Sequence, residues 1–132
     1  MNIQFFFDPE DQPRSREDVR IKQIGLFVHE GGRRVTFGLE LTPFLERPCI
    51  DVEIVNGQGE PAGMLSVIEQ VDPNFSLVLH LRDEEAHDPY HLLAVIYYTT
   101  PETEPVLVDK QRVTFNSADP GEHIYQFEEK GS

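Results

Sequence analysis

Apolar and polar residues alternate with a period of two along most of this chain, and this pattern indicates β-strands rather than helices. The clearest stretch flanks the dipeptide Gly31-Gly32. A two-residue glycine loop favours a primed hairpin turn, because both of its central residues adopt positive φ. The apolar positions on the two sides of the turn are Ile24, Leu26, Val28, Val35, Phe37 and Leu39. Because the turn sets the register, Leu26 then faces Phe37, and all six side chains fall on one side of the hairpin.

The apolar phase changes just before this hairpin, from odd positions at Val19 and Ile21 to even positions from Ile24 onward. A one-residue slip of this kind indicates a β-bulge or a strand that crosses between two sheets. Further apolar or alternating segments follow the hairpin, separated by turn-forming sequences. These segments are residues 50–55, 62–71, 75–82, 92–98 and 106–115. The polar middle of the last segment, residues 109–112, fits either a continuous strand or a tight hairpin turn.

Seven or eight short strands, with no long helical stretch, predict an all-β fold. We expect a two-layer antiparallel β-sandwich of the immunoglobulin-like type, and a C2-like or jelly-roll sandwich is the alternative. The length of 132 residues is that of one domain. We place this domain at residues 1–118 and a short acidic C-terminal tail at residues 119–132. The apolar residues of the tail, Ile124, Tyr125 and Phe127, fit a docking peptide, a segment packed on its own domain or a frayed end.

The chain is strongly acidic, with 24 Asp and Glu against 11 Lys and Arg, for a formal net charge of −13. Nucleic acids and anionic membranes are bound through cations, so this balance argues against both as partners. Cys49 is the single cysteine, so an internal disulfide is excluded. The first residues lack the basic start of a signal peptide, and the longest apolar run is too short to span a bilayer. We therefore expect a cytoplasmic protein.

The acidic loop at residues 83–88 is the strongest chemical candidate. Its four carboxylates belong to Asp83, Glu84, Glu85 and Asp88. Calcium prefers a set of carboxylate and carbonyl oxygens as ligands, and sandwich loops can supply them. The loop lacks the regular spacing of a calcium-binding motif, so a plain exposed loop is the competing interpretation. A calcium-dependent or small-ligand-binding domain that uses these four residues is our alternative hypothesis.

The histidines and nucleophiles show no catalytic or zinc-binding pattern. His87 and His91 have the i, i+4 spacing that converges only on a helix, and Pro89 between them indicates a loop. His80 is predicted on the outer face of its strand. No serine lies in a G-x-S-x-G elbow, and neither a P-loop nor a G-x-G-x-x-G motif occurs. We therefore expect a protein that is not an enzyme and needs no cofactor.

Aromatic residues on outer faces are the remaining indication of a binding surface. Phe27 is predicted on the outer face of the hairpin, Tyr97 and Tyr98 on opposite faces of their strand, and Tyr90 beside the acidic loop. The alternative for Phe27 is that the three phenylalanines at residues 5–7 cover it.

A complete strand pattern without a catalytic motif favours a non-catalytic module for protein interaction or an accessory role. Its expected partner is a protein, and its expected state is a monomer or a homodimer. Hydrolysis of a glycan or ester is a third option, which a large apolar pocket would favour.

Overall fold

A computed structural model of the protein describes residues 12–127. These residues form eight β-strands, preceded by a single turn of 3-10 helix at Arg16–Asp18. The strands are β1 (Ile21–Val28), β2 (Arg34–Leu41), β3 (Cys49–Val55), β4 (Pro61–Val67), β5 (Asn74–His80), β6 (Tyr90–Thr100), β7 (Thr103–Phe115) and β8 (Gly121–Gln126). No helix in this part of the chain combines the length and the apolar character needed to cross a membrane.

The strands form two antiparallel four-stranded sheets that pack face to face around one core. The first sheet has the order β5-β2-β1-β8, and the second has the order β4-β3-β6-β7. The chain crosses between the sheets after β2, β4, β5 and β7. Strands β1, β2 and β5 in one layer and β3, β6 and β7 in the other have immunoglobulin-like connectivity. The predicted antiparallel β-sandwich is therefore confirmed.

The hairpin of β1 and β2 has the register that the alternation predicts. Leu26 pairs with Phe37, and both side chains are fully buried. The register shifts between Ile21 and Gln23, which confirms the irregularity predicted before the hairpin. The inner face of this hairpin therefore provides most of the core residues that the first sheet contributes.

The turn between β1 and β2 depends on two glycines with positive φ, 90° at Gly31 and 68° at Gly32. The turn is wider than the predicted two-residue loop. The N–H of Gly32 donates to the carbonyl of His29 at 2.9 Å, and the N–H of His29 donates to the carbonyl of Arg34 at 3.0 Å. The wider turn preserves the predicted register, because it lies beyond the last strand pair.

The core fills the space between the two sheets with apolar side chains from both. The large side chains that are fully buried include Ile24, Leu26, Phe37, Leu39, Ile50, Ile54, Tyr90, Leu92 and Ile96. Burial of apolar surface contributes about 25 cal/mol per Å² to folding, so this two-sided layer is the main stabilising element.

The polar residues 109–112 continue β7 and do not form a turn. The register between β6 and β7 shifts between Ile96 and Tyr97, which places an extra residue in β7. On the inner side of this irregularity, the Asp109 carboxylate accepts a hydrogen bond from the N–H of Ile21 in β1 at 2.8 Å. Asp109 is therefore a polar residue within the strand that links the two sheets.

Part of the predicted tail is a strand of the sandwich. Strand β8 pairs in antiparallel fashion with β1 at the edge of the first sheet. Tyr125 packs against the core, and its hydroxyl donates to the carbonyl of Thr114 at 3.0 Å. Strand β8 lies beyond the boundary predicted at residue 118, and it pairs with β1 because the edge of β1 offers backbone groups that these residues satisfy. Of the three interpretations of the tail, residues 121–126 agree with the segment packed on its own domain.

The two turn glycines provide a matched pair of substitutions. An added Cβ at Gly32 would lie 2.5 Å from the Ser117 carbonyl oxygen and 2.9 Å from the Ser117 Cβ, whereas at Gly31 it would meet nothing within 4 Å. We expect Gly32→Ala to lower the free energy of unfolding by about 3 kcal/mol, and Gly31→Ala by about 1 kcal/mol. Urea denaturation of the two variants measures the difference. Equal losses would show that the Gly32–Ser117 contact is not tight.

Candidate functional site

The end of the sandwich opposite the Gly31-Gly32 turn holds a cleft with two lobes. The larger lobe has a volume of about 370 Å³, and the smaller has a volume of about 240 Å³. Arg16 and Tyr98 line both lobes, so the lobes are adjacent. The larger lobe is also lined by Glu46, Arg47, Cys49, Glu69, Thr99 and Thr100. The smaller lobe is also lined by Glu17, Val106, Leu107 and Val108.

Arg16 and Tyr98 are held together at the centre of the cleft. The Arg16 guanidinium carbon lies 5.1 Å from the centroid of the Tyr98 ring, within the range of a cation–π interaction. The same guanidinium pairs with the Glu46 carboxylate, with 2.5 Å between Nη2 and Oε2. The Tyr98 hydroxyl donates to the Glu46 backbone carbonyl at 2.8 Å. Three segments far apart in the sequence therefore converge here.

Tyr98 is a hydrogen-bond donor and not a base at this position. Burial, with a contribution from the Glu46 carboxylate, raises the pKa of Tyr98 to about 12. Its hydroxyl is therefore protonated at neutral pH and fixes the loop before β3.

The larger lobe carries a cation that the described part of the chain does not use. Arg47 is exposed and makes no hydrogen bond or ion pair with any residue of the range 12–127. Glu69 has a φ of 53°, in the left-handed region that residues other than glycine rarely adopt. Strained backbone of this kind concentrates at binding sites, where the surrounding structure maintains it. The lobe therefore has an available cation beside a strained loop.

The smaller lobe is apolar and open to solvent. Val106 is 61% exposed and Leu107 is 56% exposed. Further exposed apolar side chains, Leu45, Ile68 and Val71, lie in the loops that supply Glu46 and Glu69. Clustered exposed apolar residues on a folded domain indicate a contact surface for another molecule.

The acidic loop lies at the opposite end, where its first residue is tied into a polar network. The Asp83 carboxylate pairs with Arg33, accepts a hydrogen bond from the Tyr90 hydroxyl at 2.7 Å, and accepts another from Asn56 Nδ2 at 3.3 Å. Arg33 Nη1 also donates to the Tyr90 hydroxyl at 3.2 Å. Arg33 comes from the first sheet's hairpin, whereas Asn56 and Tyr90 come from the second sheet. The network therefore joins the two sheets.

The network determines the charge state of Asp83. Burial alone raises the pKa of this carboxyl, but the hydrogen bonds from Tyr90, Arg33 and Asn56, with the guanidinium charge, hold it below its ordinary value. In return, the Asp83 hydrogen bond raises the pKa of Arg33. Both groups stay ionised at neutral pH, and each compensates the other for its removal from water.

The structure does not bring the four carboxylates of the acidic loop together. Asp83 is used by the network, and the Asp88 carboxylate accepts hydrogen bonds from the N–H and the hydroxyl of Ser117, at 2.6 and 2.9 Å. Glu84 and Glu85 are exposed. Within residues 12–127, no group of three or more His, Cys, Asp or Glu side chains is arranged to hold a metal ion. The predicted calcium set is therefore divided between two internal roles and solvent.

The other residues predicted to be of interest differ in whether the structure exposes or buries them. Tyr97 and Tyr98 point to opposite faces, as predicted, and His80 is exposed. Tyr90 is fully buried in the core and is not a surface aromatic. Phe27 is half-buried, with its ring edge-on to His29 at 4.9 Å between centroids. The proposed cover for Phe27, residues 5–7, lies outside the described residues.

The sequence pattern does not predict the cleft. Its residues come from the segment before β1, the loops before β3 and after β4, and the junction of β6 with β7. The sequence feature that points toward the cleft is Tyr98, which is predicted on the face opposite Tyr97. Nothing local connects it to Arg16.

Comparison with known proteins gives matches of structure only. No family model and no curated protein matches the sequence. The β-glucuronidase of Bifidobacterium dentium, solved with coumarin-3-O-glucuronide, matches with a TM-score of 0.50 and 15% identity, over 76% of this chain and 18% of that chain. A β-glucuronidase of Ruminococcus gnavus matches with a TM-score of 0.45 and 16% identity, over 76% of this chain and 16% of that chain.

The shared property is the fold. The B. dentium match supports the β-sandwich architecture described above. The chain spans less than a fifth of the length of either enzyme.

Acid titration tests the role of the Asp83 network. Because the folded pKa of Asp83 lies below its ordinary value of 3.8, its stabilisation is complete above that pH and is lost as pH falls through the folded value. We expect Asp83→Asn to lower the free energy of unfolding by about 2 kcal/mol at neutral pH. The difference from the wild type should shrink below about pH 4. A constant difference across the acid range, measured by urea denaturation, would contradict this linkage.

Calcium provides a direct test of the alternative site. A ligand present at about 100 times its dissociation constant stabilises the folded state by about 2.7 kcal/mol, or several degrees in melting temperature for a domain of this size. Because Asp83 and Asp88 are used internally, we expect the same melting temperature in calcium and in chelator. A rise of several degrees, lost in Glu84→Gln with Glu85→Gln, would establish the calcium site.

Proposed function

We propose that this chain is a non-catalytic β-sandwich module that binds a protein partner through the cleft of Arg16 and Tyr98. The observation that supports the proposal is that three features occur together in the cleft. The cleft is lined by a cation without a partner among the described residues, a buried tyrosine under a guanidinium, and exposed valine and leucine side chains.

The composition of the cleft supports a protein partner. Arginine and tyrosine are enriched among the residues that contribute most to protein–protein affinity, particularly when they are packed at the centre of a surface. Arg16 and Tyr98 have this central position, and Val106 and Leu107 provide apolar area beside them. The net charge of −13 argues against nucleic acid and anionic membrane as the occupant.

The two lobes suggest the chemistry of the partner. The free guanidinium of Arg47 favours a carboxylate in the larger lobe. The smaller lobe favours aliphatic or aromatic side chains. A peptide segment with an acidic residue followed by apolar residues satisfies both.

The hydrogen bonds of the described residues support a role without catalysis. Histidine contacts to hydroxyl groups involve Thr36 and Thr114, and no serine or cysteine in the described range is hydrogen-bonded to a histidine. The shifted groups Asp83 and Tyr90 serve the link between the sheets. Within residues 12–127, neither a Ser–His nor a Cys–His pair of the kind that activates a nucleophile is therefore formed.

An accessory role in the cytoplasm completes the proposal. The single cysteine, Cys49, is a buried free thiol, as expected in a reducing compartment. In the B. dentium β-glucuronidase, a sandwich of this fold makes up part of a longer chain, which is the arrangement of an accessory module.

Two matched valine substitutions test the cleft. Val106 lies in the smaller lobe and is 61% exposed, whereas Val78 lies on β5 of the other sheet and is 50% exposed. Tagged wild-type protein should co-purify a stoichiometric partner from cells that express it. We expect Val78→Asp to retain that partner and Val106→Asp to weaken binding at least about tenfold, because a buried unpaired carboxylate costs more than 1.4 kcal/mol.

Melting curves of both valine variants control for folding. Equal retention of the partner by both variants would remove the cleft from the binding surface. Measurable turnover of a glycan or ester by the purified protein would overturn the non-catalytic role.

A further inference from the structure

The outer face of the second sheet carries an apolar stripe along β6. Alternate residues of this strand point away from the core, and all three members of the stripe are half-buried. The stripe consists of Leu93, Val95 and Tyr97. It does not belong to the cleft, whose residues in β6 are Tyr98, Thr99 and Thr100.

Charged rows of opposite sign flank the stripe on the two neighbouring strands. On β3, Glu53 pairs with Leu93, and on β7 Arg112 pairs with the same residue. One step along the strand, Asp51 and Lys110 flank Val95 in the same way. We call Asp51 and Glu53 the acidic row, and Lys110 and Arg112 the basic row.

The two rows do not neutralise each other within the chain. Their strands are separated by β6, so the backbones lie about 9.6 Å apart, two strand spacings. Glu53, Lys110 and Arg112 are exposed and make no ion pair or hydrogen bond with the described residues. Asp51 accepts a hydrogen bond from the Tyr97 hydroxyl at 3.2 Å. Three charges of the pattern are therefore available to another molecule.

We propose that this face binds the same face of a second copy of the chain, related by a twofold axis parallel to β6. Rotation by 180° about that axis exchanges the two sides of the stripe and keeps the height along the strand. Glu53 then meets Arg112 of the second copy, and Asp51 meets its Lys110. The stripe residues pack on their own counterparts, as an isologous contact requires.

The arrangement agrees with the packing rules for sheets and interfaces. Two sheets that pack face to face align their strands within about 30° at a separation of about 10 Å. Stable interfaces have an apolar centre with charged groups at the rim. The stripe provides the centre, and the two rows provide the rim on both sides.

The charge pattern also selects one orientation. A twofold axis perpendicular to the strands within the plane of the face would place acidic row over acidic row and basic row over basic row. Like charges opposite each other cost several kcal/mol and exclude that orientation. With the axis along β6, only β3, β6 and β7 of the four strands overlap with the second copy. The interface is therefore small, and the association depends on protein concentration.

Charge reversals at Glu53 and Arg112 test the proposal. Sedimentation velocity of the wild-type protein should show a monomer–dimer equilibrium that shifts with concentration. We expect Glu53→Lys and Arg112→Glu each to raise the dimer dissociation constant about tenfold or more. The double variant should dimerise again, and an equimolar mixture of the two single variants should form a heterodimer, because each restores opposite charges across the interface.

Two exposed charges elsewhere provide matched controls. Glu122→Lys on β8 and Arg82→Glu at the acidic loop change the net charge by the same amounts and should leave dimerisation unchanged. Val106→Asp should also leave it unchanged, which separates this face from the cleft. A wild-type protein that is monomeric up to its solubility limit, or a dimer insensitive to the reversals at Glu53 and Arg112, would overturn the proposal.

Discussion

The reversal at Gly31-Gly32 fixes the position of the first sheet and ties it to the second. Both glycines have positive φ, and the backbone of Ser117 lies where a side chain at Gly32 would be. The turn sets the register that buries Leu26 beside Phe37. Directly after it, Arg33 reaches Asp83 in the loop between β5 and β6. One turn therefore sets a strand register and positions a cross-sheet ion pair.

The two ends of the sandwich differ in how their polar groups are satisfied. At the turn end, Arg33, Asp83, Tyr90 and Asn56 satisfy one another in a closed network. Partly buried charges of this kind stabilise most when every member has a partner, so the network leaves little capacity for a ligand. At the other end, Arg47 has no partner among residues 12–127, and apolar side chains face solvent. We therefore place the proposed partner at the cleft and not at the turn end.

The second sheet has two outward features, to which we assign different proposed contacts. The cleft lies at the end of β6, whereas the apolar stripe and its charged rows lie along the middle of the same strand. Because β6 is central, its residues point alternately into the core and out to the face. One strand therefore contributes to the core, to the cleft and to the proposed contact between copies.

The sequence by itself determined which side of each strand is buried. Alternation with a period of two is a local property, so it predicted the β1–β2 register, the irregularity before Gln23 and the sandwich. It did not determine which strands lie side by side. The joining of β8 to β1, the Arg33–Asp83 pair and the charged rows beside Leu93 all depend on strand order.

Tertiary structure alone also determined the surroundings of individual residues. Tyr90 adjoins an acidic loop in the sequence, yet the core buries its ring and the network takes its hydroxyl. Arg16 and Tyr98 meet only because the segment before β1 packs across the end of the second sheet. Side-chain periodicity extends over a few residues, whereas these contacts join segments more than fifty residues apart. Local pattern therefore encodes the layers, and the packing of the layers creates the sites.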